Sequence, residues 1–266
     1  HGPDDVYRAC AEHRPGVVII NSHVGLSWFN YVVMHNAANA QWAEIGRTIR
    51  FLGMFHDGRP GEHTLSGVLQ TDPDVSEGLP RPVPVYRSSC RPPEGKPVIG
   101  TFGFGFGNKG YSRLAEQIGR DFPDGAVLRA HISHAAFGDN DGRGAADWEA
   151  DLRAKTKSHV KIEVTHNFLD AKQLIDWLAS NHLNAFFYDR SYGRGIASTI
   201  DFALAAERPI AITDSWQFRH IVDAKPRILA ESRSLADILK SGLEPLLPFY
   251  KRWNPITVSE AYERAV

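Results

Sequence analysis

The sequence predicts an α/β protein: parallel sheets flanked by helices, arranged as two lobes. Three observations predict it. Short β-branched runs alternate with stretches of helical periodicity, and the stretches are long enough for right-handed crossovers between parallel strands. A Pro-, Gly- and Asp-rich segment at about 58–96 interrupts the alternation once. The chain has 266 residues, 42% of them hydrophobic and 23% charged, enough for one large α/β domain or two small ones with a real core.

In order, residues 4–13 (DDVYRACAEH) read as a helix and GVVIIN (16–21) as a buried parallel strand. Residues 25–45 carry enough Trp, Ala and Val for one or two packed helices, and TIRFLGMFHD (48–57) is the next strand. The 58–96 segment reads as a linker between lobes, with GVLQTD and PVPVYRSS as short extended pieces. Beyond Pro97 come a strand (97–102) and a helix (109–121) with Tyr111, Leu114, Ala115 and Ile118 on one face. Then follow a strand (126–133), a polar loop, a charged helix (146–157) and a strand (160–166). Asp170 caps a helix that buries Ala171, Leu174, Ile175 and Leu178. A strand (184–189), a helix (197–207), a strand (209–213) and tail helices near 234–241 and 244–252 complete the pattern. The expected division is 1–90 for a first, partial lobe with its linker, 91–245 for a second lobe, and 246–266 for a helical tail returning to the first.

Acidic and basic residues nearly cancel, 31 against 30, so nothing advertises nucleic acid. Two cysteines, Cys10 and Cys90, form no disulfide framework and no zinc set. A reducing, cytoplasmic setting is the simplest expectation. No apolar run has the roughly 18–20 residues a membrane helix needs, and no signal peptide is read at the start.

Ligands of parallel α/β sheets gather at the carboxyl ends of the strands, and the chemistry-bearing residues fall on such loops. In TFGFGFGNKG, Gly103, Gly105 and Gly107 let backbone N–H groups approach an oxygen-rich ligand, and Lys109 offers a charge for a phosphate. The competing reading is tight turns, with Phe102, Phe104 and Phe106 plugging a core. In YDRSYGRGIASTIDFALA, Gly193 and Gly195 flank Arg194, and Ser198 and Thr199 open a helix whose free N–H groups suit a diphosphate, with Arg190 or Arg194 nearby. There the alternative is a capping box from Ser198 to Asp201. His56 and Asp57 end the second strand and His23 ends the first, so all three can face one cleft. Arg219 stands at one more strand end, where a surface ion pair is the alternative to ligand contact. His131 and His134 lack a third ligand, so no metal site is expected.

With those residues in hand, the order of loops resembles the nucleotide-sugar glycosyltransferases of the two-Rossmann GT-B type, above all the retaining branch around glycosyltransferase family four. The resemblance is best over about 97–221. It lies in IGTFGFGFGNKG, in IEVTHNFLDAKQLIDWLASNHLNAFFYD and in GRGIASTIDFALAAERPIAIT. It implies that Lys109 touches the donor diphosphate and that Ala197, Ser198 and Thr199 present N–H groups to it. It also implies that Asp201 holds the ribose, that main chain near Asn167 and Phe168 frames the base, and that His56 lies over the transferred sugar. Three departures stand out. Gly103 replaces the family's arginine, Gly193 replaces its sugar-gripping glutamate, and the first lobe lacks its opening strand–helix units. Either His1 marks a truncation, or the lobe is reduced and leaves a sheet edge open to a partner chain, hence to homo-oligomers.

The resemblance therefore implies a transferase that moves sugar from a nucleotide-diphosphate donor to an unidentified acceptor, with no metal or cofactor required. The alternatives are a GT-B-like binding protein without turnover and a sugar-nucleotide epimerase on the same architecture.

Overall fold

The computed structural model describes residues 3–22, 44, 47–55, 67–70, 83–134, 139, 141–191 and 195–265. The chain divides into two compact units. One comprises His1–Arg81, Gly193–Ile196 and Val258–Val266, the other Pro82–Tyr192 and Ala197–Thr257.

In the first unit, helix α1 (Pro3–His13) precedes strands β1 (Val17–Ser22), β2 (Arg50–Phe55) and β3 (Gly67–Gln70). They form a parallel sheet in the order β1-β2-β3, with Val17 opposite Arg50 and Leu52 opposite Gly67. Part of the expected linker is therefore a third strand. Its four residues, GVLQ, are too few to show a period, and what defines them as a strand is the free edge of β2, which supplies their backbone partners. Leu52 is buried against Val17, Ala261 and Tyr262.

The second unit holds β4 (Val98–Phe104), α2 (Tyr111–Asp121), β5 (Ala126–Ser133), α3 (Arg143–Lys155), β6 (Val160–Thr165), α4 (Ala171–Ala179), β7 (Leu183–Phe186), α5 (Thr199–Ala205) and β8 (Ile210–Ile212). Helices α6 (Leu235–Lys240), α7 (Leu247–Arg252) and α8 (Pro255–Ala265) follow, the last within the helical tail expected over 246–266. The five strands are all parallel, in the order β6-β5-β4-β7-β8.

Helix α2 packs on α3 and α6, whereas α4 packs on α5. Tyr111, Leu114, Ala115 and Ile118 are all buried, as their spacing predicts. They join Leu128, Ile132, Phe186, Ile212, Leu152 and Leu235 in one core. Fully burying a leucine or isoleucine contributes about 1.5–3 kcal/mol, so this stripe decides the helix position. Leu174, Ile175 and Leu178 of α4 form a second cluster with Ala205 and Ala206, against which Phe102 and Phe202 pack. Asp170 caps α4 as expected, in a reciprocal box with Gln173: the Gln173 N–H donates to Asp170 at 2.9 Å, and the Asp170 N–H donates to the Gln173 side chain at 3.0 Å. Tyr86 and Ser88 donate to Asp176, fastening the stretch ahead of Pro97 to α4.

Candidate functional site

Numbered from Pro97 onward, the sheet order is third, second, first, fourth, fifth. Neighbours β4 and β7 send their chains in opposite directions, so the loops after them part around a crevice. Those loops carry the two glycine-containing segments singled out in the sequence.

The loops are fastened to each other. The Asp189 N–H donates to the Asn108 carbonyl at 2.9 Å. Arg113, in the first turn of α2, donates to the Phe187 carbonyl and to the Asp189 carboxylate, both at 2.6 Å. Gly110 has φ +62°, and a Cβ there would lie 2.0 Å from the Phe187 carbonyl oxygen, so only glycine lets the strands' ends come this close. Between the loops stands the Lys109 ammonium, 3.7 Å from the centroid of the Tyr188 ring.

The glycine loop itself is a single 3-10 turn, Gly107–Lys109. A Cβ at Gly105 would meet the Ala145 nitrogen at 2.5 Å and the Gly144 carbonyl carbon at 2.7 Å. This packing against α3 accounts for the glycine at 105 without a ligand. The N–H groups of Gly144 and Ala145 are already taken by the buried Asp139 carboxylate, at 2.8 and 2.9 Å. Gly103 lies beside the Tyr111 hydroxyl and the Lys109 stem. Of the three phenylalanines, Phe102 packs edge-on against Phe186 and Phe202, while Phe104, 37% exposed, lies against Phe106. Among the described residues, Phe102 packs against the core.

Across the crevice, Ser198 is exposed and makes no capping hydrogen bond, so the alternative reading, a Ser198–Asp201 capping box, does not form. Its backbone lies in the helical region (φ −68°, ψ −12°), whereas a capping side chain needs an extended cap residue. Thr199 is buried and Asp201 half-buried in the first turn of α5. Arg190 is ion-paired to Asp214. Asn167 and Phe168 follow the edge strand β6, two strands from the crevice, with Phe168 83% exposed. Gly195 lies in the segment counted with the first unit. His23, His56, Asp57 and Arg194 lie outside the described residues.

Sequence reasoning missed several residues. Buried polar atoms gather at this end of the sheet: Tyr188 Oη lies beside the Thr199 hydroxyl, and Ser191 Oγ and Gln217 Nε2 make no hydrogen bond among the described residues. Burial pushes the Tyr188 phenol well above its ordinary range, an effect the neighbouring Thr199 hydroxyl tempers. At the ends of β5 and β6, His166 faces the Ile132 carbonyl through Nδ1 at 2.8 Å and Glu149 through Nε2 at 2.6 Å. Burial pulls its pKa down, but the carboxylate and the carbonyl together outweigh burial and leave it raised. The His134 ring stacks on it at 5.6 Å. His131 is lowered to about 4, by burial first and then by His166. Nothing in the sequence pattern distinguishes these groups, because their partners come from different elements. Among the described residues, no group of three His, Cys, Asp or Glu side chains is placed to hold a metal ion.

No family model and no curated protein matches the sequence. Solved structures do match. The UDP-forming α,α-trehalose-phosphate synthase from Burkholderia xenovorans aligns at TM-score 0.63 and 8% identity, over 98% of this chain and 75% of that one. Anabaena HepE, solved with UDP-glucose, aligns at 0.62 and 15%, over 98% and 81%. The lipopolysaccharide outer core galactosyltransferase WaaB aligns at 0.57 and 13%, over 98% and 78%. The chain has the GT-B glycosyltransferase fold. In the GT-B frame, the five-stranded sheet matches the sequence expectation of a Rossmann-like second lobe, and the crevice lies at its topological switch point.

Proposed function

We propose that the chain is a glycosyltransferase that takes its sugar from a nucleotide-diphosphate donor, and that the diphosphate binds in the crevice between β4 and β7. One observation carries the reading: the Lys109 ammonium stands between two loops that are hydrogen-bonded to each other at the switch point of a parallel sheet. HepE, with the same fold, was solved with UDP-glucose, which supports a sugar nucleotide as the donor.

In this reading, bond cleavage at the donor sugar leaves the electron pair on a diphosphate oxygen. Lys109 and the N–H groups of Ser198 and Thr199 meet that growing charge, the kind of preorganised stabilisation that contributes most to many enzymes. The acceptor hydroxyl oxygen bonds to the sugar carbon, and its proton passes to the departing diphosphate or to solvent. Asp201 anchors the donor ribose, Asn167 and Phe168 frame the base, and His56 lies over the sugar. The charge is met by protein groups, so the reading calls for no metal. Among the described residues no helix is long and apolar enough to cross a membrane. Cys10 and Cys90 are free thiols, which supports the reading of a reducing, cytoplasmic setting.

A second reading is favoured by Gly103 and Gly193, which stand where the resemblance expects an arginine and a glutamate. It is a protein that binds the nucleotide without turnover.

Calorimetry with a panel of nucleoside diphosphates and the matching nucleosides tests the proposal. At least one diphosphate binds, and Lys109→Ala weakens it about tenfold or more, roughly 1.4 kcal/mol, while leaving nucleoside affinity unchanged. Equal losses for both remove the phosphate role. Release of nucleoside diphosphate from a panel of sugar nucleotides then separates the enzyme from the inert binder.

A further inference from the structure

We infer that Tyr188 is the positioning residue for the Lys109 ammonium. The inference rests on the proposed diphosphate site and assigns a role to a side chain that the sequence reading passed over.

A lysine on a short loop has four rotatable bonds, and ordering them at the moment of binding costs affinity. Here the ordering is built in. The ammonium lies 3.7 Å from the Tyr188 ring centroid. The ring is itself fixed: Tyr188 is 2% exposed, its ring packs on Phe218 at 4.7 Å, and its carbonyl accepts from the Thr213 hydroxyl at 2.7 Å. The loops on which the two side chains stand are registered by Asp189 N–H to the Asn108 carbonyl, so ring and cation meet without a search. A cation over an aromatic face is held more firmly as water is withdrawn, and this face is buried.

The Tyr188 ring face is neutral, because burial keeps the phenol protonated, so this contact itself adds no negative charge where an anion is to bind. The hydroxyl plays no part in this. It lies beside the Thr199 hydroxyl rather than the ammonium, so the ring face carries the role.

The test has two arms. In the first, lysine-labelled protein is studied by NMR. The Lys109 ε-methylene protons resonate upfield of ordinary lysine values, keep that shift in Tyr188→Phe and lose it in Tyr188→Leu. An unshifted Lys109 signal in the wild-type protein overturns the inference without any variant. In the second arm, inorganic pyrophosphate is titrated calorimetrically. Tyr188→Phe binds as wild type, Tyr188→Leu binds about fivefold more weakly, and Tyr188→Leu with Lys109→Ala is no weaker than Lys109→Ala alone. Full pyrophosphate affinity in folded Tyr188→Leu, or simple additivity in the double variant, overturns it. Tyr188→Met replaces the leucine variant if that does not fold. If Lys109→Ala leaves pyrophosphate binding untouched, the diphosphate reading fails, and the positioning claim is decided by the ring-current shift alone.

Discussion

A Cβ on Gly105 would sit 2.5 Å from the Ala145 backbone nitrogen, and backbone cannot yield as a flexible side chain can. Gly105→Ala therefore strains the junction of the glycine loop with α3. Overpacking of this kind costs about 1–3 kcal/mol, which corresponds to a drop in Tm of roughly 2–5 °C for a chain of this size. Thermal melting checks it, and an unchanged Tm shows that the loop and α3 separate freely. The residue scale is also where the sequence was least legible. The spacing of Gly103, Gly105 and Gly107 suggested three equivalent openings for a ligand, but what each glycine meets depends on which element lies across from it. Gly105 faces α3, and Gly110, which was not singled out, is the one whose absent side chain lets the two loops touch. Lys109 was legible because its position just before a helix start already implied anion chemistry. Tyr188 was not, since within FFYD it looks like any other core aromatic.

Among the elements, long periodic ones were easiest to read. Helix α2 carries its apolar residues at helical spacing and buries all of them, and α4 announces itself with Asp170 and Gln173. Helix α3 starts three residues before its expected position. Its start is defined by Asp139, four residues upstream of the helix, and by Gly142 in the left-handed conformation rather than by any cap at the helix itself. The short β3 was read only as an extended piece of the linker, for lack of length, and the terminal α8 only as part of a helical tail, for lack of a strong pattern of its own.

The elements β5, β6 and α3 are joined by His166, whose two nitrogens face a carbonyl and a carboxylate, an arrangement that the doubly protonated ring satisfies best. His166 is raised above its ordinary 6.5, so its contribution is full below that value and fades as pH rises through the folded value. Glu149 is lowered below its ordinary 4.5, chiefly by the His166 hydrogen bond, so its contribution is full above that value and fades as pH falls. The clasp is therefore strongest between 4.5 and 6.5. It contributes about 1 kcal/mol, both groups being partly exposed. His131, neutral down to about 4, contributes the opposite slope, so wild type and His166→Gln must be compared at each pH. Between about pH 5 and about pH 8 the wild-type advantage in denaturant midpoint shrinks. Parallel curves would show that the clasp is not charged.

For the whole molecule, the class was readable from alternation alone, and the strand order that creates the crevice was not. Crossover handedness confines each helix to a face, yet whether β7 adds beside β4 or beside β6 depends on the length and packing of α4. Once β7 lies beside β4, two loops far apart in sequence become one site. Its occupant follows from chemistry rather than from the shape of the sheet, which hosts many functions.

The most direct measurement is a crystal structure of the chain soaked with UDP. The account predicts diphosphate density within hydrogen-bonding reach of Lys109 Nζ, between the turn at Gly107–Lys109 and the start of α5 at Ser198–Thr199. Nucleotide bound elsewhere, with the Lys109 ammonium still on the Tyr188 ring and the crevice holding only water, would contradict it.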